Sequence, residues 1–186
     1  MTLLVLASLL CALPPERPAT PSAGAGPQQP LSDDEVKERI DTFMRTIDTR
    51  IPAEQWRALG SRGAAILEAM AQDTTQLPTR RAKAVVGLAA IGSPTSSSVL
   101  LSLAQSRTEP LTVRLTAVHG AAGVVPEAEL ASALKPVLET ANDRHVRAAA
   151  AEVLSRHGGC GLVWAQAQKE RDPVAMQRAL QSCGKE

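Results

Sequence analysis

The chain has 186 residues, 20 lysines and arginines, 19 aspartates and glutamates and a formal net charge of +1. That length suffices for one compact domain with a sizeable core, and the near-zero charge argues for neither nucleic-acid nor acidic-polymer binding. Aromatic residues are Phe43, Trp56 and Trp164 alone, against many alanines and leucines, a composition that suits closely packed helices and disfavours sheets and aromatic-lined grooves.

Thr2 to Leu13 is a short apolar run containing Cys11, followed by a stretch rich in proline and alanine. The run is too short to span a bilayer and fits an export signal over residues 1–13, although no basic residue precedes it. Cys11 is a candidate lipidation site, preceded by Leu10 where a lipoprotein signal carries a small residue. A cytosolic tail is the competing reading. Residues 14–30 have no apolar periodicity and read as a disordered linker, or as a tether if Cys11 carries lipid.

A helical domain is expected over residues 31–184. Ser32 and Glu35 have capping-box spacing, and Val36, Ile40, Phe43, Met44 and Ile47 share one face of a helix running to about Thr49. Pro52 opens a second helix, weakened at Gly60 and Gly63, with Trp56, Leu59, Ala64, Ile66, Leu67 and Met70 along its stripe. Residues 31–71 read as a degenerate terminal unit.

Residues 78–158 carry one pattern three times, with Arg81, Arg114 and Arg147 spaced 33 residues apart. A fixed period of this size marks a helical solenoid. In the first copy Ala82, Val85, Val86, Ala89 and Ala90 are the expected core positions. In the second they are Leu115, Val118, Ala121 and Ala122. The intervening helices begin at Pro94 and Pro126, with Val99, Leu100, Leu103 and Ala104, then Leu130, Leu134, Val137 and Leu138, turned inward. Pro136 is expected to kink its helix. Residues 159–184 form a capping hairpin, with Leu162, Val163, Trp164, Val174, Ala179 and Leu180 packed.

The segments Asp143, Val146, Arg147, Ala150, Leu154, Gly158 and Val113, Arg114, Ala117, Val118, Ala121 resemble HEAT-like repeats, as do Arg81, Ala84, Val85, Leu88 and Gly92; Met176 stands near the arginine position of the last unit. The resemblance implies an all-α, right-handed α-solenoid of antiparallel helix pairs, and most of that family are protein-binding surfaces. It also implies that Arg81, Arg114 and Arg147 are structural, reaching a turn aspartate or a neighbouring helix end, with surface contact as the alternative. Asp143 is the acid that offers itself in a turn.

If processing removes Cys11, Cys160 and Cys183 remain as an even pair in an exported chain, which predicts a disulfide closing the last hairpin. No metal motif, glycine-rich phosphate loop or serine elbow occurs, so no cofactor and no enzymatic activity are expected. A His157–Cys160 base–nucleophile pair has the spacing for contact but lacks an orienting third residue. His119, Arg144 and His145 are candidate binding-face residues. The expected function is non-catalytic protein binding or scaffolding in the bacterial periplasm or on a membrane facing it, without nucleic acid and without membrane insertion after processing. The alternative is a lyase-like or enzyme-accessory protein of the HEAT type acting on a partner or bound cofactor. Oligomeric state stays open.

Overall fold

The computed structural model describes residues 31–46, 49–93 and 95–184, all within one compact unit. The expected signal, Cys11 and the linker lie outside the described residues, as do Ile47 and Pro94. The helices are α1 (Asp33–Arg45), α2 (Ala53–Arg57), α3 (Gly60–Gln72), α4 (Pro78–Ile91), α5 (Ser96–Gln105), α6 (Leu111–Ala121), α7 (Glu127–Thr140), α8 (Arg144–Arg156), α9 (Cys160–Ala167) and α10 (Pro173–Cys183).

Four hairpins follow from their packing: α3 with α4, α5 with α6, α7 with α8 and α9 with α10. Helices α3, α5, α7 and α9 touch in succession to form one layer, and α4, α6, α8 and α10 form the other. The core lies between the layers, a continuous apolar seam running from Val36 through Leu67, Leu88, Leu100, Val118, Leu134 and Leu154 to Met176. Helices α1 and α2 cover the α3/α4 end. Each hairpin leaves its flanks apolar, so stacking is what removes them from water.

Local chemistry explains where the helices begin and end. Ser32 and Glu35 form the full capping box of α1. Asp143 and Asp172 each accept a hydrogen bond from the amide two residues on, opening α8 and α10. Gly92 and Gly158 carry φ of 66° and 74°, the left-handed conformation that stops α4 and follows α8. The weak point foreseen at Gly60 is a true break: Gly60 has φ 62°, and the segment divides into α2 and α3. Pro136 lies inside α7, which runs through it to Thr140.

Several expectations are corrected. Helix α1 ends at Arg45, because Thr46 is extended and its hydroxyl donates back to Phe43 O. The buried face of α4 is Arg81, Ala84, Val85, Gly87 and Leu88, about one position away from the face expected, and Val86 is 48% exposed. The same rotation holds in α6, where Val113, Arg114 and Ala117 join Val118 and Ala121 in the core and Leu115 is half-buried. Arg81 and Arg114 belong to the buried face and Arg147 is half-buried beside it, at positions that apolar counting assigns to solvent. Trp164 and Val174 are 49% and 72% exposed, not packed; among the described residues the last hairpin has a neighbour on one side only.

Cys160 and Cys183 are joined by a disulfide with Cα atoms 5.6 Å apart. It ties the start of α9 to the end of α10 at the open end of the stack. Closing a loop of this length stabilises by about 3 kcal/mol in the chain-entropy picture.

Close approach between helices depends on two glycines that share one repeat position. A Cβ on Gly87 would lie 2.7 Å from the Trp56 ring and 2.9 Å from Leu67, and one on Gly120 would lie 3.0 Å from Ala89 Cβ. Trp56 is held in turn by edge-to-face packing against Phe43, so it has little room to yield. Gly161 in α9 has open space around it. Gly87→Ala is therefore expected to destabilise by about 2 kcal/mol, overpacking outweighing the helix-propensity gain. Gly161→Ala is expected to stabilise by roughly 0.5 kcal/mol. Urea unfolding followed by circular dichroism checks both, and equal signs would contradict the packing described.

Candidate functional site

Each hairpin carries a residue four positions after the cap of its second helix: Arg81 after Leu77, Arg114 after Pro110, Arg147 after Asp143 and Met176 after Asp172. All four side chains point between the layers. Arg81 is 2% exposed; its Nε donates to Ala71 O at 2.9 Å, and its Nη2 pairs with Glu109 Oε2 at 2.6 Å. Arg147 donates Nη1 to Ala141 O at 2.6 Å and grips Glu170 with Nε and Nη2, both at 2.7 Å. The carbonyl ends the first helix of the arginine's own hairpin, and the glutamate sits in the turn of the next hairpin. One guanidinium thereby fixes two repeats in register, using the bidentate geometry that lysine lacks.

The expectation that Asp143 serves as the acidic partner is corrected. Its Oδ1 accepts the His145 amide at 2.7 Å, and Arg147 turns to Glu170 instead. Arg114 forms the incomplete rung. It is 3% exposed, and its Nη1 meets Asn142 Oδ1 at 2.8 Å, where the flanking rungs have glutamate. Its Nε and Nη2 have no hydrogen-bond partner among the described residues. Burial of Arg81 and Arg114 removes the surface-contact alternative for both. The last hairpin has no following turn among the described residues, and fully buried Met176 fills the arginine's place.

The ladder sets α6, α8 and α10 side by side, and their outer faces enclose a groove of about 500 Å³. Helix α8 supplies the floor with Ala148 and Ala149, and its small side chains create the trough. Helix α6 contributes Leu115 and His119 on one wall. Helix α10 contributes Val174, Ala175 and Arg178 on the other, while Arg144, His145 and Asp172 lie at the end where α8 and α10 begin, and Glu152 lies further along α8. His119, Arg144 and His145, singled out from the sequence, thus converge. Arg178 and Val174 were missed as groove residues; they stand two residues either side of Met176, whose burial turns them outward.

The groove's charges are partly consumed within it. Arg144 Nη1 lies 2.5 Å from Asp172 Oδ2, and Asp172 Oδ1 accepts the Val174 amide at 3.2 Å. Arg144 Nε also points to His145 Nε2 at a long 3.5 Å. Glu152 pairs with Arg156 at 3.6 Å. A second, polar depression of about 450 Å³ lies on the other layer between α3 and α5, around Glu68, Ser98, Ser102 and Glu109.

Among the described residues no group of three or more His, Cys, Asp or Glu could hold a metal ion, and no helix is long and apolar enough to cross a membrane. Cys160 is bound in the disulfide, so it offers no thiolate to a His157–Cys160 pair, and His157 Nδ1 lies 3.8 Å from Glu127.

Two layers of stacked hairpins registered by an inter-repeat arginine define an α-solenoid. The family described as HEAT repeats matches residues 63–155, and the chain belongs to it. No curated protein and no solved structure gives a significant match.

Removing a partner from a buried pair strands the other charge, so Arg81→Ala is expected to cost at least about 3 kcal/mol. Asn142→Glu, which completes the middle rung, is expected to gain about 1 kcal/mol. Chemical unfolding of the two variants checks the ladder.

Glu170 is held below the ordinary glutamate range, chiefly by the hydrogen bonds from Arg147 and also by its charge, against the opposing effect of burial. A carboxylate whose folded value is depressed contributes stability that is present above the unfolded value and lost as pH falls through the folded one. The stability advantage of the parent over Glu170→Gln is expected to be full at neutral pH and to shrink steadily below the ordinary glutamate range. Paired unfolding curves at pH 7 and in acid read this directly.

Proposed function

We propose that this HEAT-repeat chain is a non-catalytic protein-docking domain that works after export, in the bacterial periplasm or tethered to a membrane facing it through Cys11. Its docking surface is the α6/α8/α10 groove. The observation that carries the reading is the convergence of side chains from three successive repeats on one trough, with hydrogen-bond donors above an alanine floor. No single hairpin could build that surface, which is what a stacked array offers to a partner protein.

The location rests on two supports. The Cys160–Cys183 bond belongs to oxidising compartments, and the apolar run of residues 2–13 has the character of an export signal. On this reading, residues 14–30 act as a lead-in between the processed or lipidated end and the repeats.

Two measurements test the proposal. A photo-crosslinking amino acid at Ala148, on the groove floor, is expected to trap a discrete protein partner in the native host, and the same group at Ser102 on the other layer is not. Equal yields from both positions would contradict the groove. Intact mass of the native protein before and after reduction is expected to show loss of the first segment, or an acyl group on Cys11, together with two protected thiols. A full-length chain with three free thiols would sink the exported location.

A further inference from the structure

The groove's internal pairing leaves an unbalanced remainder. Both of its carboxylates face an arginine: Asp172 holds Arg144 and accepts the amide that caps α10, and Glu152 lies 3.6 Å from Arg156, one turn further along α8. Among the described residues Arg178 has no carboxylate within 4.0 Å, and neither have His119 and His145. Every uncommitted charged or ring group facing the trough is thus a cation or an imidazole, able to donate a hydrogen bond. The whole chain carries a net charge of only +1, so this is a local imbalance.

The apolar part of the groove is placed beside that remainder. Val174, 72% exposed, faces the groove from α10, Leu115 faces it from α6, and Ala148 and Ala149 lie between them. Val174 and Arg178 are one helical turn apart on the same wall, so a ligand that covers the first passes over the second. A side chain of leucine size seated on the alanine floor would bury Val174 and set a neighbouring acidic group against the Arg178 fork. Arg144 already holds Asp172 through Nη1, which leaves Arg178 as the arginine of the groove whose charge is unpaired among the described residues.

We infer that the α6/α8/α10 groove selects an acidic peptide segment interspersed with aliphatic side chains, with Arg178 as its principal carboxylate contact. This rests on the docking reading above and names the chemistry of its partner. Selectivity against basic segments has the same origin, because the groove offers a cationic incomer no uncommitted carboxylate.

The test uses the full chain with its disulfide intact and a fluorescein-labelled peptide alternating glutamate and leucine pairs, with a lysine–leucine peptide of equal length as comparison. Fluorescence anisotropy at low salt is expected to show the acidic peptide binding at least tenfold more tightly than the basic one, weakening as salt is raised. Arg178→Glu is expected to lower that affinity by tenfold or more, and Arg178→Gln by a smaller factor. Arg107→Glu, the same charge change on the exposed α5–α6 turn, is expected to leave it within twofold. Thermal unfolding establishes that each variant remains folded. Equal binding of the two peptides, an Arg178→Glu effect no larger than that of Arg107→Glu, or binding of phosphatidylglycerol vesicles in place of the peptide would overturn the inference. A crosslink at Ala148 without acidic selectivity would leave docking standing and remove this chemistry. Failure of both would remove the docking reading as well.

Discussion

The architecture depends on a guanidinium buried between repeats. Stacked alanine- and leucine-rich helices can slide, because apolar surface is stabilised by any close neighbour. Arg81 and Arg147 remove that freedom. Each donates to a carbonyl that ends a helix in its own hairpin and is charge-paired with a carboxylate in the next, and a slip of one turn would leave a charge buried without a partner. Such pairs add modest net stability, since desolvation offsets much of the attraction; their effect is to select one register. The incomplete rung at Arg114 fits that account, because Asn142 still sets direction although it returns no charge.

The ladder also accounts for the last described hairpin. At the final hairpin Met176 replaces the arginine, which suits a position with no following turn among the described residues to complete the rung. The disulfide then ties the hairpin together at its far side, where neighbours on one flank alone would leave it free to fray. Helix α10 is therefore fixed at its beginning by the Arg144–Asp172 pair and at its end by Cys183. That fixed helix supplies Val174 and Arg178 to the groove, so the devices that hold the stack also hold the surface it offers.

Much of this was legible in the sequence because it is local. The 33-residue period, the proline and aspartate starts, the glycine stops and the pairing of Cys160 with Cys183 follow from residue types at short or fixed distances. The phase of the buried faces was not. In α4 the core side contains Arg81 and Gly87 while Val86 faces out, so hydropathy points about one position away from the true face. The ladder's acceptors were hidden for a related reason: Glu109, Asn142 and Glu170 lie in three differently worded turns, and only the fold sets each beside its arginine. The candidate binding-face residues His119, Arg144 and His145 line one groove, yet that groove also needs α10, and Arg178 carries no motif that would have announced it.

The most direct test of the account is a double-mutant cycle on Arg147 and Glu170, using Arg147→Met, Glu170→Gln and the double variant, with unfolding free energies measured in urea. A coupling of at least about 2 kcal/mol, well above the value for exposed ion pairs, is the result predicted for a buried register device. A coupling below about 0.5 kcal/mol would show that the stack is held by apolar packing alone and would contradict the central role given to the arginine ladder.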